Sequence, residues 1–199
     1  MLAYLFWHQH AAGAERRAYE QELERFHRSL AQRPPSGFES SASFRIERPP
    51  WLADVPTPAC AELYEDWYVI RDWAALGVLE EAAVSRGHVT AHARLARHAG
   101  PGRGAVYRMI EGTAQPGLAP TATWIEATPR PGHERPSLDA LLGDGIDPAR
   151  DGLWRRCLVL GPAPEYCLLA GEAPAGVAAS RLPAGWSART SGRERVWDG

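Results

Sequence analysis

Residues 2–10 read LAYLFWHQH, and the fold turns on how this run is parsed. Taken as a strand, it places Leu2, Tyr4, Phe6, His8 and His10 on one face. Ala3, Leu5 and Trp7 fall on the other, because successive strand side chains alternate. Both faces are apolar, so the strand is expected to be central, with a layer of structure on each side. Its end carries two histidines at i and i+2, on one face, with Cα atoms about 6.6 Å apart.

Reading outward, residues 14–32 form a helix, with Tyr19, Leu23, Phe26 and Leu30 at helical spacing and Glu and Arg around the rest. Pro34-Pro35 ends it. Residues 37–47 are a second strand and 61–70 a third, joined by a proline-rich connector. Asp72 can cap a helix starting at Trp73. Gly77 and Gly87 suggest that the helical region 73–99 is in two pieces. GPGRG at 100–104 reads as a turn, and 105–113 as a fourth strand. The order to this point is β-α-β-β-α-β. The remainder repeats it in shorter form. It has a strand at 121–128, a short helix at 137–142, a hairpin around GPAP, a brief helix at 174–182, and a last strand at WSART or RERVW.

Composition narrows the function classes. All 22 basic residues are arginine, and neither lysine nor asparagine occurs. With high Ala, Gly and Pro this reads as the coding bias of a GC-rich genome. It nevertheless removes Schiff-base chemistry, lysine-held pyridoxal phosphate and a P-loop lysine. The formal net charge is −2 and the arginines are spread among 24 acidic residues, which argues against a nucleic-acid surface. No apolar run approaches the roughly 20 residues of a membrane helix. The apolar start lacks the basic region and cleavage pattern of a signal peptide, so the expected location is cytoplasmic. Cys60, Cys157 and Cys167 are far apart and form no C-x-x-C. They are expected to be buried thiols, although Cys157 and Cys167 could face each other across the hairpin.

The element order resembles the ferredoxin-like fold, and two such units in one chain resemble the dimeric α/β-barrel superfamily. That superfamily includes cofactor-free monooxygenases, polyketide cyclases, haem-binding chlorite-dismutase-like proteins and stress-response barrel proteins. The expected fold class is therefore α+β: two tandem ferredoxin-like units, residues 1–116 and a smaller 117–199, with antiparallel sheets packed together. The resemblance implies a pocket between sheet and helices, or inside a barrel made by two sheets. It also implies a small-molecule ligand and assembly through exposed sheet faces into homo-oligomers.

Candidate chemistry gathers on the first and third strands. In such a unit strand one lies between strands three and four. His8 then sits near the start of strand three, where Glu62, Tyr64, Asp66 and Tyr68 share a face, and Leu63, Glu65 and Trp67 take the other. His8 or His10 can serve as acid or base, since imidazole titrates near neutrality. Asp66 can orient that imidazole. Tyr64, Tyr68, Trp67 and Arg108 are the expected substrate contacts. The alternative for YEDWY is a half-exposed strand with packed tyrosines and solvated acids. Arg108 can equally pair with Glu65 or Asp66 across the sheet. His8, His10 and Glu15 form H-x-H-x4-E, which resembles the first metal motif of cupins. Here Glu15 opens a helix, and the asparagine that ends the second cupin motif has no counterpart. His88 and His92 lie at i and i+4 without the glutamate of H-E-x-x-H and read as a helix face. No cofactor or metal is expected. A haem or a divalent metal stands as a third option, because a haem barrel needs a proximal histidine and none of the seven is marked out.

The leading expectation is a small-molecule enzyme performing oxygenation, isomerisation or cyclisation of an aromatic or polyketide-like compound. The second is a non-catalytic ligand-binding or oligomerising protein. The eight tryptophans suit an apolar pocket as well as the core of a small barrel.

Overall fold

The structure is a computed structural model, and it describes residues 1–53, 55, 62–113, 115–127, 149–159, 163–170, 182 and 185–199. The strands are β1 (Leu2–His10), β2 (Phe38–Ile46), β3 (Leu63–Ile70), β4 (Ala99–Gly112), β5 (Thr121–Ala127), β6 (Gly152–Val159), β7 (Tyr166–Ala170) and β8 (Trp186–Asp198). The helices are α1 (Arg16–Gln32), α2 (Trp73–Val84) and α3 (Val89–Ala96). All strand pairings are antiparallel, and the strands close into a barrel in the order β1-β3-β2-β8-β5-β7-β6-β4.

Closure corrects the expected fold class. Two ferredoxin-like units with stacked sheets do not form. Instead β2 bonds to β8 and β4 bonds to β6, so the later strands continue the first sheet at both of its edges. A closed barrel leaves no unpaired edge to protect. Among the described residues the α-helices all come from the first half. The helix expected at 137–142, all but Leu182 of the one expected at 174–182, and Cys60 lie outside the described residues.

The local expectations for the first half fare better. β1 lies between β3 and β4 and is covered on both faces. The Asp72 carboxylate accepts the Ala75 N–H at 2.9 Å and caps α2. The GPGRG segment is not a turn but part of β4. A Cβ on Gly102 would stand 2.5 Å from the Phe6 ring and 2.8 Å from the Trp7 carbonyl oxygen, and one on Gly104 would stand 2.7 Å from the Tyr4 hydroxyl. These glycines leave room for the aromatic rings of β1 to lie across β4. Gly102→Ala is therefore expected to destabilise the protein by about 1–3 kcal/mol, read by urea denaturation, because backbone as well as a ring must move.

Strand alternation sorts the core into two layers. Inside the barrel are Leu5, Trp7, Phe44, Trp67, Tyr107, Trp124, Trp154 and Leu169, with Trp51 at their edge. The tryptophan rings meet at centroid distances such as 5.5 Å for Trp7–Trp124 and for Trp67–Trp154. Outside, the helices cover Leu2, Tyr4, Phe6, Tyr64, Tyr68, Ile70 and Val106 through Tyr19, Leu23, Phe26, Leu30, Leu79 and Leu95. Cys157 is exposed and Cys167 buried, and both are free thiols. Cys167 faces Trp154, not Cys157, across the β6–β7 pair. Among the described residues no helix is long and apolar enough to cross a membrane.

Candidate active site

A cavity of about 520 Å³ lies between the outer face of the β4-β1-β3 sheet and the three helices. That volume suits a small organic molecule. Its walls are largely apolar and aromatic, with Tyr4, Phe6, Phe26, Leu76, Leu79 and Leu95 among them. His8, Asp66, Tyr19 and Tyr68 bring polar groups to it, as do Glu80 and His92.

The period of two on β1 and β3 sets the strand residues of this cavity. His8 and Tyr64 are directly opposed across the two strands, as are Phe6 and Asp66. His8, Tyr64, Asp66 and Tyr68 thus point to the helix side. His8 Nε2 lies 3.0 Å from Asp66 Oδ2. The same oxygen accepts the Tyr68 hydroxyl at 2.9 Å. On the far side of the imidazole, Nδ1 meets the Tyr19 hydroxyl of α1 in a short hydrogen bond. Since Asp66 only accepts when ionised, His8 is assigned as the Nε2–H tautomer, with Nδ1 accepting from Tyr19. The arrangement is a line, Asp66 to His8 to Tyr19, that ends at the cavity.

The electrostatics agree with this assignment. Burial by itself would raise the Asp66 carboxyl, but the His8 and His27 imidazoles outweigh it and hold it well below the usual carboxylate range. Burial, and then the Asp66 charge, raise the hydroxyls of Tyr19, Tyr68 and Tyr4. The tyrosines therefore stay protonated as donors around a fixed anion. Asp66 Oδ1 is buried and has no hydrogen-bond partner among the described residues.

Not every expected residue comes to this place. His10 is buried, but its Nδ1 is 3.1 Å from the Ala11 carbonyl and its Nε2 accepts the Glu62 N–H at 3.3 Å. Both ring nitrogens are thus engaged by backbone, beside a bulge in the β1–β4 pairing. Tyr64 stacks on His8 at 5.6 Å and donates to Glu20 at 3.1 Å, so it backs the site instead of lining it. Trp67 faces the barrel interior and donates to Glu65 at 2.7 Å. Arg108 is exposed, opposite Leu2 and Arg155. The arginine that pairs with Glu65 is Arg193. β3 is not half-exposed: all eight of its residues are buried.

Two members were missed. The helical spacing of Tyr19 accounts only for packing. His27, one residue after Phe26 on the apolar stripe of α1, is fully buried with Nε2 3.3 Å from Asp66 Oδ2. A histidine on an apolar stripe was the available signal. His88, expected on a solvated or half-buried helix face, is buried and ties α3 to α1 through Ser29 and the Arg33 carbonyl. Among the described residues no group of three or more His, Cys, Asp and Glu side chains is placed to hold a metal ion.

No protein-family model matches the chain, and no curated protein matches it. Two solved structures resemble it along its whole length. One is an anthrone oxidase-like protein, with a TM-score of 0.56 and 12% identity over 100% of this chain and 92% of that one. The other, from Lactobacillus acidophilus NCFM, is described as a putative monooxygenase; it has a TM-score of 0.55 and 11% identity over 100% of this chain and 95% of that one. At these identities the likeness carries architecture alone: the chain is similar in fold to an anthrone oxidase-like protein and to a protein described as a putative monooxygenase.

Proposed function

We propose that the protein is an enzyme that removes a proton from a small aromatic or polyketide-like compound held between barrel and helices, leading to oxygenation or isomerisation. The single observation behind this reading is the Asp66–His8–Tyr19 line ending in an apolar cavity. The substrate ring packs among Tyr4, Phe6 and Phe26. As Tyr19 takes the acidic proton of the substrate, its own passes to His8 Nδ1. The imidazolium so formed lies against Asp66, which stabilises it and fixes the tautomer. The substrate is left as a carbanion or enolate in a dry site. Such an anion can reprotonate at another carbon, or react with dioxygen.

The reading needs no nucleotide cofactor, since the substrate anion itself supplies the electrons. The names of the fold neighbours suggest the first probe. Anthrone and dioxygen give anthraquinone and water, which balances without a further reductant. The expected result is protein-dependent oxygen uptake with one quinone formed per dioxygen consumed. Tyr19→Phe should lower the rate about 10²-fold while retaining the fold by circular dichroism. A rate equal to the uncatalysed one across a panel of anthrones and phenols, with unperturbed NMR signals from the cavity residues, would overturn the reading. The packed barrel interior matches what a structural role requires, but that face is separate from the cavity.

A further inference from the structure

Asp66 serves two imidazoles, and only one of them reaches the cavity. His8 lines it. His27 does not, and its side chain is completely buried beneath α1. Its ring lies flat on Tyr68, with centroids 5.1 Å apart and planes 7° from parallel. Its Nε2 is 3.3 Å from Asp66 Oδ2, the oxygen that also faces His8 Nε2 and the Tyr68 hydroxyl. Its Nδ1 is 2.8 Å from the Ser41 hydroxyl. A buried imidazole that touches no substrate is costly to desolvate. An apolar residue would fill the same stripe of α1 beside Phe26.

What His27 does follows from which oxygen it meets. The Tyr68 hydroxyl donates to Oδ2, and the Nε2 atoms of His8 and His27 stand 3.0 and 3.3 Å from the same oxygen, while Oδ1 has no hydrogen-bond partner among the described residues. Tyr68 and His27 draw on the charge that faces His8, so the field left for His8 is weaker than an undivided carboxylate would give. Whether His27 is a neutral donor or a cation, its effect on His8 has one sign. As a donor it diminishes the anion, and as a cation it also repels a second positive charge. We infer that His27 is a positioning residue that holds the proton affinity of His8 down, acting through Asp66. For the reaction, this inference rests on the reading that His8 takes up the proton Tyr19 gives away as it accepts the substrate's.

The Tyr19 and Tyr68 hydroxyls lie closer still, on His8 and on Asp66, and each packed element brings further titratable or polar groups. β1 contributes His10, which is engaged by backbone. β3 contributes Tyr64, Asp66 and Tyr68, and β4 places Gly102 opposite His8. From α1 come Tyr19, His27 and Glu20, the last reaching the site through Tyr64. α2 and α3 contribute Glu80 and His92 to the cavity wall. On the β2–β8 side, Arg45 is paired with Glu20 and Glu194.

The test is an NMR titration of the His8 ring in the full chain, as wild type, His27→Phe and His27→Gln. His27→Phe removes the donor and should raise the His8 midpoint by about one pH unit or more. His27→Gln keeps a neutral donor and should raise it less. The acid limb of the rate profile should move upward with the midpoint. A folded His27→Gln or His27→Phe protein whose His8 midpoint equals that of the wild type would overturn the inference. Should the phenylalanine variant not fold, the glutamine variant decides. A moved midpoint beside a stationary acid limb upholds the coupling and sinks only the catalytic role given to His8.

Discussion

Asp66→Asn is expected to lower turnover by about 10³-fold or more while preserving the barrel. An asparagine has nearly the shape of aspartate but presents an amide. Its NH2 would meet His8 Nε2 and Tyr68, where the carboxylate now accepts. His8 then satisfies the amide by carrying its proton on Nδ1, and that nitrogen can no longer accept from Tyr19. The site keeps its parts in the wrong tautomer, a change worth several orders of magnitude where an acid–imidazole–hydroxyl line does chemistry. Stability should fall as well, by about 3–5 kcal/mol, because two imidazoles and a hydroxyl lose a buried anion. The pH dependence has a definite sign. The carboxyl of Asp66 is depressed in the folded state, so its contribution is fully present above the unfolded value of about 3.9. It is lost as pH falls through the folded value. The stability gap between wild type and Asp66→Asn, measured by urea denaturation, should therefore shrink progressively below about pH 4. A folded variant with wild-type turnover would remove Asp66 from the reaction. A gap independent of pH would mean that the carboxylate is not held by its imidazoles.

Much of this site was legible in two strands. Alternation along LAYLFWHQH put Tyr4, Phe6 and His8 on one face, and alternation along LYEDWYVI put Tyr64, Asp66 and Tyr68 on one face. Antiparallel neighbours then bring His8 and Asp66 together. The helix side was not legible in the same way. Tyr19 and His27 sit on a stripe whose spacing is fully explained by packing, and nothing local to α1 tells that β3 sets a carboxylate beneath it. His10 misled for the opposite reason. Strand alternation treats it as the equal of His8, but the bulge after His8 turns it toward backbone partners. The glycines at 100, 102 and 104 signal a turn when read along the chain. They are a flat track of strand when the rings of Tyr4 and Phe6 are laid across it. Barrel closure was out of reach of local periodicity, which predicts strands but not which edges they seek. Among the arginines, alternation alone could not distinguish Arg108, at the surface, from Arg193, in the core.

Arg193→Met is expected to be as costly to stability as the loss of Asp66, at about 3–5 kcal/mol, and it should act on the opposite face of the sheet. The Arg193 side chain is fully buried inside the barrel, with Nε 3.2 Å from Glu65 Oε1. Its Nη1 donates to the carbonyls of Pro116 at 3.2 Å and Ala119 at 3.1 Å. The guanidinium also lies 3.5 Å over the Phe44 ring. Glu65 accepts from the indoles of Trp7 at 3.0 Å and Trp67 at 2.7 Å. One ion pair thus links β8 to β3 close to the β2–β8 seam, where the later strands join the first sheet. Burial pushes the guanidinium down, and Glu65 opposes that shift. Removing the arginine leaves an ionised carboxylate among tryptophans with two indole donors. Changing Glu65→Gln in the same chain removes the stranded charge while keeping an acceptor for an indole. The double variant should therefore be more stable than Arg193→Met alone, with a coupling energy of about 1–3 kcal/mol. Urea denaturation followed by tryptophan fluorescence reads both, since the indoles of Trp7 and Trp67 report on Glu65 directly. Strictly additive costs would show that the pair is not coupled. Turnover of folded Arg193→Met should stay near that of the wild type, because the strand that carries His8 and Asp66 toward the cavity is intact in it. A loss of rate without a loss of fold would mean instead that the tryptophan-lined interior takes part in the chemistry, and that the barrel has two working faces.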